Sequence, residues 1–83
     1  MDIQHDKANN KIWLERNGNI ATVEYKIHDG TLDILHTYVP PALEGQGIAS
    51  LLVKSAYDFA IQNEFTPKAT CSYAKVWLKR HPE

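Results

Sequence analysis

"PPALEGQGIAS", residues 40–50, is the stretch on which the fold turns. Two prolines cannot donate to a sheet ladder, so Pro40 and Pro41 end whatever extended segment precedes them. Two glycines one residue apart follow, Gly45 and Gly47, and beyond them the apolar spacing changes from alternation to a helical period. The stretch is therefore a junction between strands and a helix, and its glycines allow two readings. They shape a tight turn, or they twist the backbone into a nest whose N–H groups face an anion at a helix start.

Upstream, "NKIWLER" (10–16) and "NIATVEYKI" (19–27) flank Asn17-Gly18, a strong hairpin signal. A second turn, His28-Asp29-Gly30, leads into "TLDILHTYV" (31–39), where Leu32, Ile34, His36 and Tyr38 alternate with Asp33, Leu35, Thr37 and Val39. These segments predict a three-stranded antiparallel meander. Residues 1–9 are polar and are expected to fray.

Downstream, Ile48, Leu51, Leu52, Ala56, Phe59 and Ala60 fall on one stripe of a helix expected over 46–63. Thr66-Pro67 then punctuates the chain. "KATC" (68–71) reads as a short strand, and "SYAKVWLKR" (72–80) as a final helix with Ser72 as its N-cap. The order β-β-β-α-β-α is an α+β chain: an antiparallel meander joined to a parallel crossover, which is right-handed in nearly all proteins. That crossover puts the start of the long helix at the C-terminal edge of its two strands. The end of 31–39, the glycine turn and Cys71 then converge where ligands of such sheets usually bind.

The bulk composition narrows the function. At 83 residues the chain is read as one domain spanning 1–83, and 43% apolar with 23% charged residues is ordinary for a folded globule. A net charge of −1 gives no basic face for nucleic acid. One cysteine makes no internal disulfide, and no apolar run suggests a signal peptide or membrane span, so the expectation is a cytoplasmic protein, monomeric or weakly dimeric. The four histidines lack metal-ligand spacing, and no metal is expected.

Among the converging residues, Cys71 reads either as a small core hydrophobe or as a nucleophile whose thiol is acidified by a helix start. His36 reads as a histidine bonded within the sheet or as a general base. Tyr73, Val76 and Trp77 have the spacing of a core-facing stripe, with Tyr73 near enough to Cys71 to serve as an acid. Lys75, Lys79 and Arg80 read as a solvated face with some attraction for a phosphate.

"HTYVP", "EGQGIAS", the amphipathic helix and "TCSYAKVWL" together resemble the GNAT superfamily of N-acetyltransferases, over residues 31–80. They are most similar to its small single-domain members with a cysteine at the end of the strand after the long helix. Glu44 stands where the family pattern has Arg or Gln. The resemblance implies the GNAT-like (acyl-CoA N-acyltransferase) fold and acetyl-CoA as co-substrate. It implies a diphosphate on the amides of Gly45, Gln46, Gly47, Ile48, Ala49 and Ser50, and a pantetheine arm along Thr37, Tyr38 and Val39. Cys71, His36 and Tyr73 are then the candidate catalytic groups. The acetyl group would pass to an amine acceptor, small molecule or protein, directly or through Cys71. The alternative is a CoA or acyl-CoA binding module without turnover.

Overall fold

The computed structural model describes residues 3–81. Its five-stranded sheet follows chain order: β1 (Gln4–Asp6), β2 (Lys11–Arg16), β3 (Asn19–His28), β4 (Thr31–Tyr38) and β5 (Thr66–Ala69). The first four strands pair antiparallel, and β5 pairs parallel to β4. The crossover between those two strands is α1 (Ile48–Gln62), and α2 (Ser72–Arg80) follows β5. The expected α+β architecture, with its meander and parallel crossover, is the observed one.

One face of the sheet carries the core. Ile12 and Leu14, Ala21, Val23 and Tyr25, and Leu32 and Ile34 point to the same side and are buried against Ile48, Leu52, Val53, Ala56 and Ala60 of α1. The stripe read from the sequence is thus the buried one, though Leu51 and Phe59 remain partly covered rather than fully buried. Fully burying each aliphatic side chain contributes about 1.5–3 kcal/mol, which is what seats the helix on the sheet. The helix is shorter than expected. It stops at Gln62 because Glu64 turns left-handed (φ 63°), letting Phe65 N–H reach Ala60 O (2.8 Å) and Glu64 N–H reach Ile61 O (3.2 Å). This is the Schellman closure, here without its usual glycine.

Four expectations are corrected. Residues 4–9 do not fray: 4–6 form β1 and Lys7–Asn9 a 3-10 turn, anchored where His5 Nε2 meets the Tyr25 hydroxyl at 2.6 Å and the His5 ring packs edge-on to Phe59. Residues 1–2 lie outside the described part. The last strand is 66–69 rather than 68–71. Pro67 is tolerated within it because Thr66 N–H bonds inward to Gly30 O, so alternation turns the Pro67 nitrogen to the free edge. Cys71, not Ser72, occupies the N-cap position of α2.

The fourth correction positions the site. A bulge at Leu35 shifts the register so that Tyr25 faces Ile34 but Glu24 faces His36. One extra residue reverses the alternation. Thr37, opposite Val23, now occupies the core side, while exposed His36 and Tyr38 sit on the other face, which neither helix covers.

Candidate functional site

The prolines do more than end a strand. Pro41–Leu43 forms a 3-10 turn, with Leu43 N–H on Pro40 O (2.9 Å) and Glu44 N–H on Pro41 O (3.2 Å), and buried Leu43 pins it to the core. Those bonds use the last amides before the glycines. Gly45 and Gly47 both take left-handed backbone (φ 81° and 74°), with Gly47 at the N-cap of α1. A side chain there would be strained, so the conformation favours glycine. The next amide to find an acceptor is Leu51 N–H, on Gly47 O (3.1 Å). Among the described residues, none of the six amides from Gly45 to Ser50 donates to a protein acceptor. Consecutive free amides at a helix start carry a partial positive charge and suit an oxyanion.

A cavity of about 300 Å³ opens over this bend, bounded by Val39, Leu43, Ile48, Ser50 and Tyr73. Glu44 is exposed at its rim. The Arg16 guanidinium, at the end of β2, donates to Gln46 Oε1 and so brings a cation to the bend. Ser50 Oγ accepts from Trp77 Nε1 at 2.9 Å, locking the first turn of α1 to α2.

Beside the bend, β4 and β5 separate. Their pairing ends at Ile34 and Ala69, while β4 runs on to Tyr38. At the fork, Ile34 O accepts from both Thr70 N–H (2.9 Å) and Cys71 N–H (3.0 Å). Buried Asp33 closes a second clasp: Oδ1 takes Thr70 N–H and Oδ2 takes the Thr70 hydroxyl, both at 2.8 Å.

Cys71 lies just beyond that clasp, half-buried, with Sγ 3.6 Å from Thr37 Oγ1. As a thiol it donates to the hydroxyl; as a thiolate it accepts from it. Burial pushes the Cys71 thiol up, but the amides of Ala74, Tyr73 and Thr37 and the Thr37 hydroxyl outweigh it, so its pKa lies below the ordinary thiol value. The helix start and the strand end thus both present donors to the sulfur, the arrangement that makes a cysteine nucleophilic.

A family model described as GCN5-related N-acetyl-transferase matches residues 10–83. The chain belongs to the GCN5-related N-acetyltransferase family. It is 32% identical to Protein NATD1 of Xenopus tropicalis, over 96% of this chain and 76% of that protein. It is 31% identical to Protein NATD1 of Homo sapiens, over 96% and 74% respectively. The solution structure of a GCN5-like protein from Staphylococcus aureus superposes with a TM-score of 0.74 at 30% identity, covering 95% of this chain and 78% of that one.

The residues singled out from the sequence divide. Gly45–Ser50, Thr37, Val39, Cys71 and Tyr73 gather around the cavity and the fork. His36 and Tyr38 reach the same edge but on the opposite face of the sheet, so His36 does not meet Cys71 through the core side. The supposed core stripe of α2 is also divided. Trp77 is buried with Ala74, whereas Tyr73, at the cavity wall, is 42% exposed and Val76 is 49% exposed. Arg16, Asp33 and Thr70 were not anticipated; contacts spanning 30 and 37 residues leave no local signal. Among the described residues no helix is long and apolar enough to cross a membrane, and no group of three or more His, Cys, Asp or Glu side chains could hold a metal.

Proposed function

We propose that the chain is an acetyl-CoA-dependent N-acetyltransferase acting on an amine. The observation that carries this reading is the run of six unpartnered amides from Gly45 to Ser50, opening beside the Thr37–Cys71 fork. Bound acetyl-CoA would supply a thioester carbonyl. The six amides hold the diphosphate, and the strand end from Thr37 to Val39 holds the arm. Backbone N–H groups of β4 beyond its last pairing with β5 would stabilise the oxyanion that develops on the carbonyl, a contribution of about 3–4 kcal/mol per donor in comparable sites.

His36, on the open face with Glu24 beside it, receives the proton of an acceptor arriving from that side. Tyr73, at the cavity wall, returns a proton to the departing sulfur. Cys71 offers a second route: its thiolate attacks the carbonyl carbon, the coenzyme's C–S bond breaks, and the enzyme-bound acetyl then passes to the amine with return of the thiolate.

The test is release of free coenzyme thiol from acetyl-CoA in the presence of a panel of primary amines and polyamines. Amine-dependent release supports transfer. Tight binding without release for any amine would replace this reading with that of a coenzyme-binding module. Intact-mass measurement of wild type and Cys71→Ala separates the routes. A gain of one acetyl group on Cys71 that chases onto the amine establishes the covalent path, and unchanged turnover in Cys71→Ala removes it.

A further inference from the structure

β5 ends the sheet and is paired on one side only. The N–H groups of Thr66 and Thr70 point inward, to Gly30 O and Ile34 O, so alternation turns the Pro67 and Ala69 carbonyls and the Ala69 N–H to the unpaired side. A groove of about 490 Å³ lies between β5 and α2, lined by Lys68 and Ala69 from the strand and by Ser72, Lys75, Val76 and Lys79 from the helix. Those four helical positions make one stripe. It is distinct from the stripe of Tyr73 and Trp77, which meets the glycine bend and α1.

The charge of this groove is one-sided. Lys68, Lys75 and Lys79 are exposed, and no lining residue is acidic. Among the described residues the ion pairs are His28–Asp29 and Lys54–Asp58, so none of the three lysines meets an acid. Three of the chain's 9 Lys and Arg residues thus gather at one edge of a protein whose net charge is −1. Their spacing suits an extended chain. Lys75 and Lys79 stand one turn apart, roughly 6 Å along the helix, and alternate side chains of a strand stand roughly 6.6 Å apart on one side. An acid-x-acid segment along the edge therefore reaches both cations, while its backbone uses the Ala69 N–H and the two carbonyls. A second copy of this chain does not suit the edge. It would set the three lysines against themselves, and the short β5 with Pro67 in it discourages pairing between like edges.

We infer that the groove between β5 and α2 docks an extended acidic segment of a protein partner, laid along the β5 edge with its carboxylates on Lys75 and Lys79. Ser72, which lines the groove, directly follows Cys71, so a segment seated there lies beside the fork. The inference stands on the groove and its charge, independently of acetyl transfer. Lys75 and Lys79 are exposed on α2, so replacing them leaves the core untouched.

The experiment titrates the 15N-labelled chain at low salt with three probes of about ten units each: a peptide alternating Glu and Thr, its Gln-for-Glu counterpart, and single-stranded oligothymidylate. The Glu peptide should saturate, with its principal shifts on the amides of Lys68, Ala69, Ser72, Lys75 and Lys79, and the Gln peptide should bind about ten-fold more weakly. Lys75→Gln/Lys79→Gln should weaken the Glu peptide about ten-fold. Lys26→Gln/Lys54→Gln, the same charge change at two exposed lysines elsewhere, should stay within about two-fold. Unchanged urea midpoints confirm that both double variants are folded. No saturable binding, or an equal loss in the two double variants, overturns the inference. Tighter binding of the oligothymidylate makes the groove a nucleic-acid surface and also overturns it, as does a wild-type dimer in sedimentation velocity that Lys75→Gln/Lys79→Gln alters.

Discussion

Removing the Asp33 carboxylate should loosen the fork that sets Cys71 in place. Two hydrogen bonds of 2.8 Å join Asp33 to Thr70, but they are not equivalent. The Thr70 N–H also reaches Ile34 O at 2.9 Å, so it keeps an acceptor when Asp33 is truncated. The hydroxyl bond has no such substitute, although exposed Thr70 can turn it to water. Hydrogen bonds to a charged group contribute about 1.5–3 kcal/mol each, and the shared one counts near the bottom of that range or below it. Asp33→Ala should therefore cost about 2–3 kcal/mol. For a chain of this size, about 4–8 °C per kcal/mol turns this into a Tm drop of roughly 10–20 °C. Asp33→Asn, which can still accept the amide and donate to the hydroxyl, should cost about half as much. Urea unfolding of Asp33→Ala, Thr70→Ala and the double variant gives the coupling directly, expected at about 1–2 kcal/mol. A coupling below about 0.5 kcal/mol would show that the clasp does not hold the fork, and the argument from its geometry would fail.

Three further outcomes are expected. Glu64→Gly relieves the left-handed residue closing α1 and should stabilise the protein by about 0.5–1 kcal/mol, net of glycine's greater freedom when unfolded, seen as a higher urea midpoint. Iodoacetamide should alkylate Cys71 at a lower pH than an ordinary thiol. Thr37→Val, which deletes one of the donors to the sulfur, should move that rate profile upward; an unmoved profile refutes the role of the hydroxyl. Burial, with Lys7 nearby, holds His5 below its usual pKa, so between that lowered value and about 6.5 the unfolded chain binds more protons than the folded one. Stability should accordingly be full above about pH 6.5 and fall as the pH drops through the folded value, a slope that His5→Phe should flatten in Tm measured from pH 7.5 to 5.

What the sequence revealed was local. Asn17-Gly18 announced its hairpin because both residues adopt positive φ in a two-residue turn, and the 3.6 period of α1 survived into the buried face almost unchanged. The glycine bend was legible because left-handed backbone at two positions one residue apart strongly favours glycine. What could not be read was anything set by register. The bulge at Leu35 has no signature in "DILHTY", yet that single residue moves His36 away from the core side and brings Thr37 to Cys71. The clasp from Asp33 to Thr70 and the reach of Arg16 to Gln46 depend on pairing between distant strands. Residues 4–9 looked frayed because their anchor, Tyr25, lies 20 positions beyond His5.

Coenzyme A titrated into the 15N-labelled protein tests the central claim most directly, with each backbone amide followed separately. The account predicts that the largest shifts fall on Gly45, Gln46, Gly47, Ile48, Ala49 and Ser50 and saturate together. Saturation with those six amides unmoved, or with the principal shifts on the uncovered face of the sheet, would contradict it.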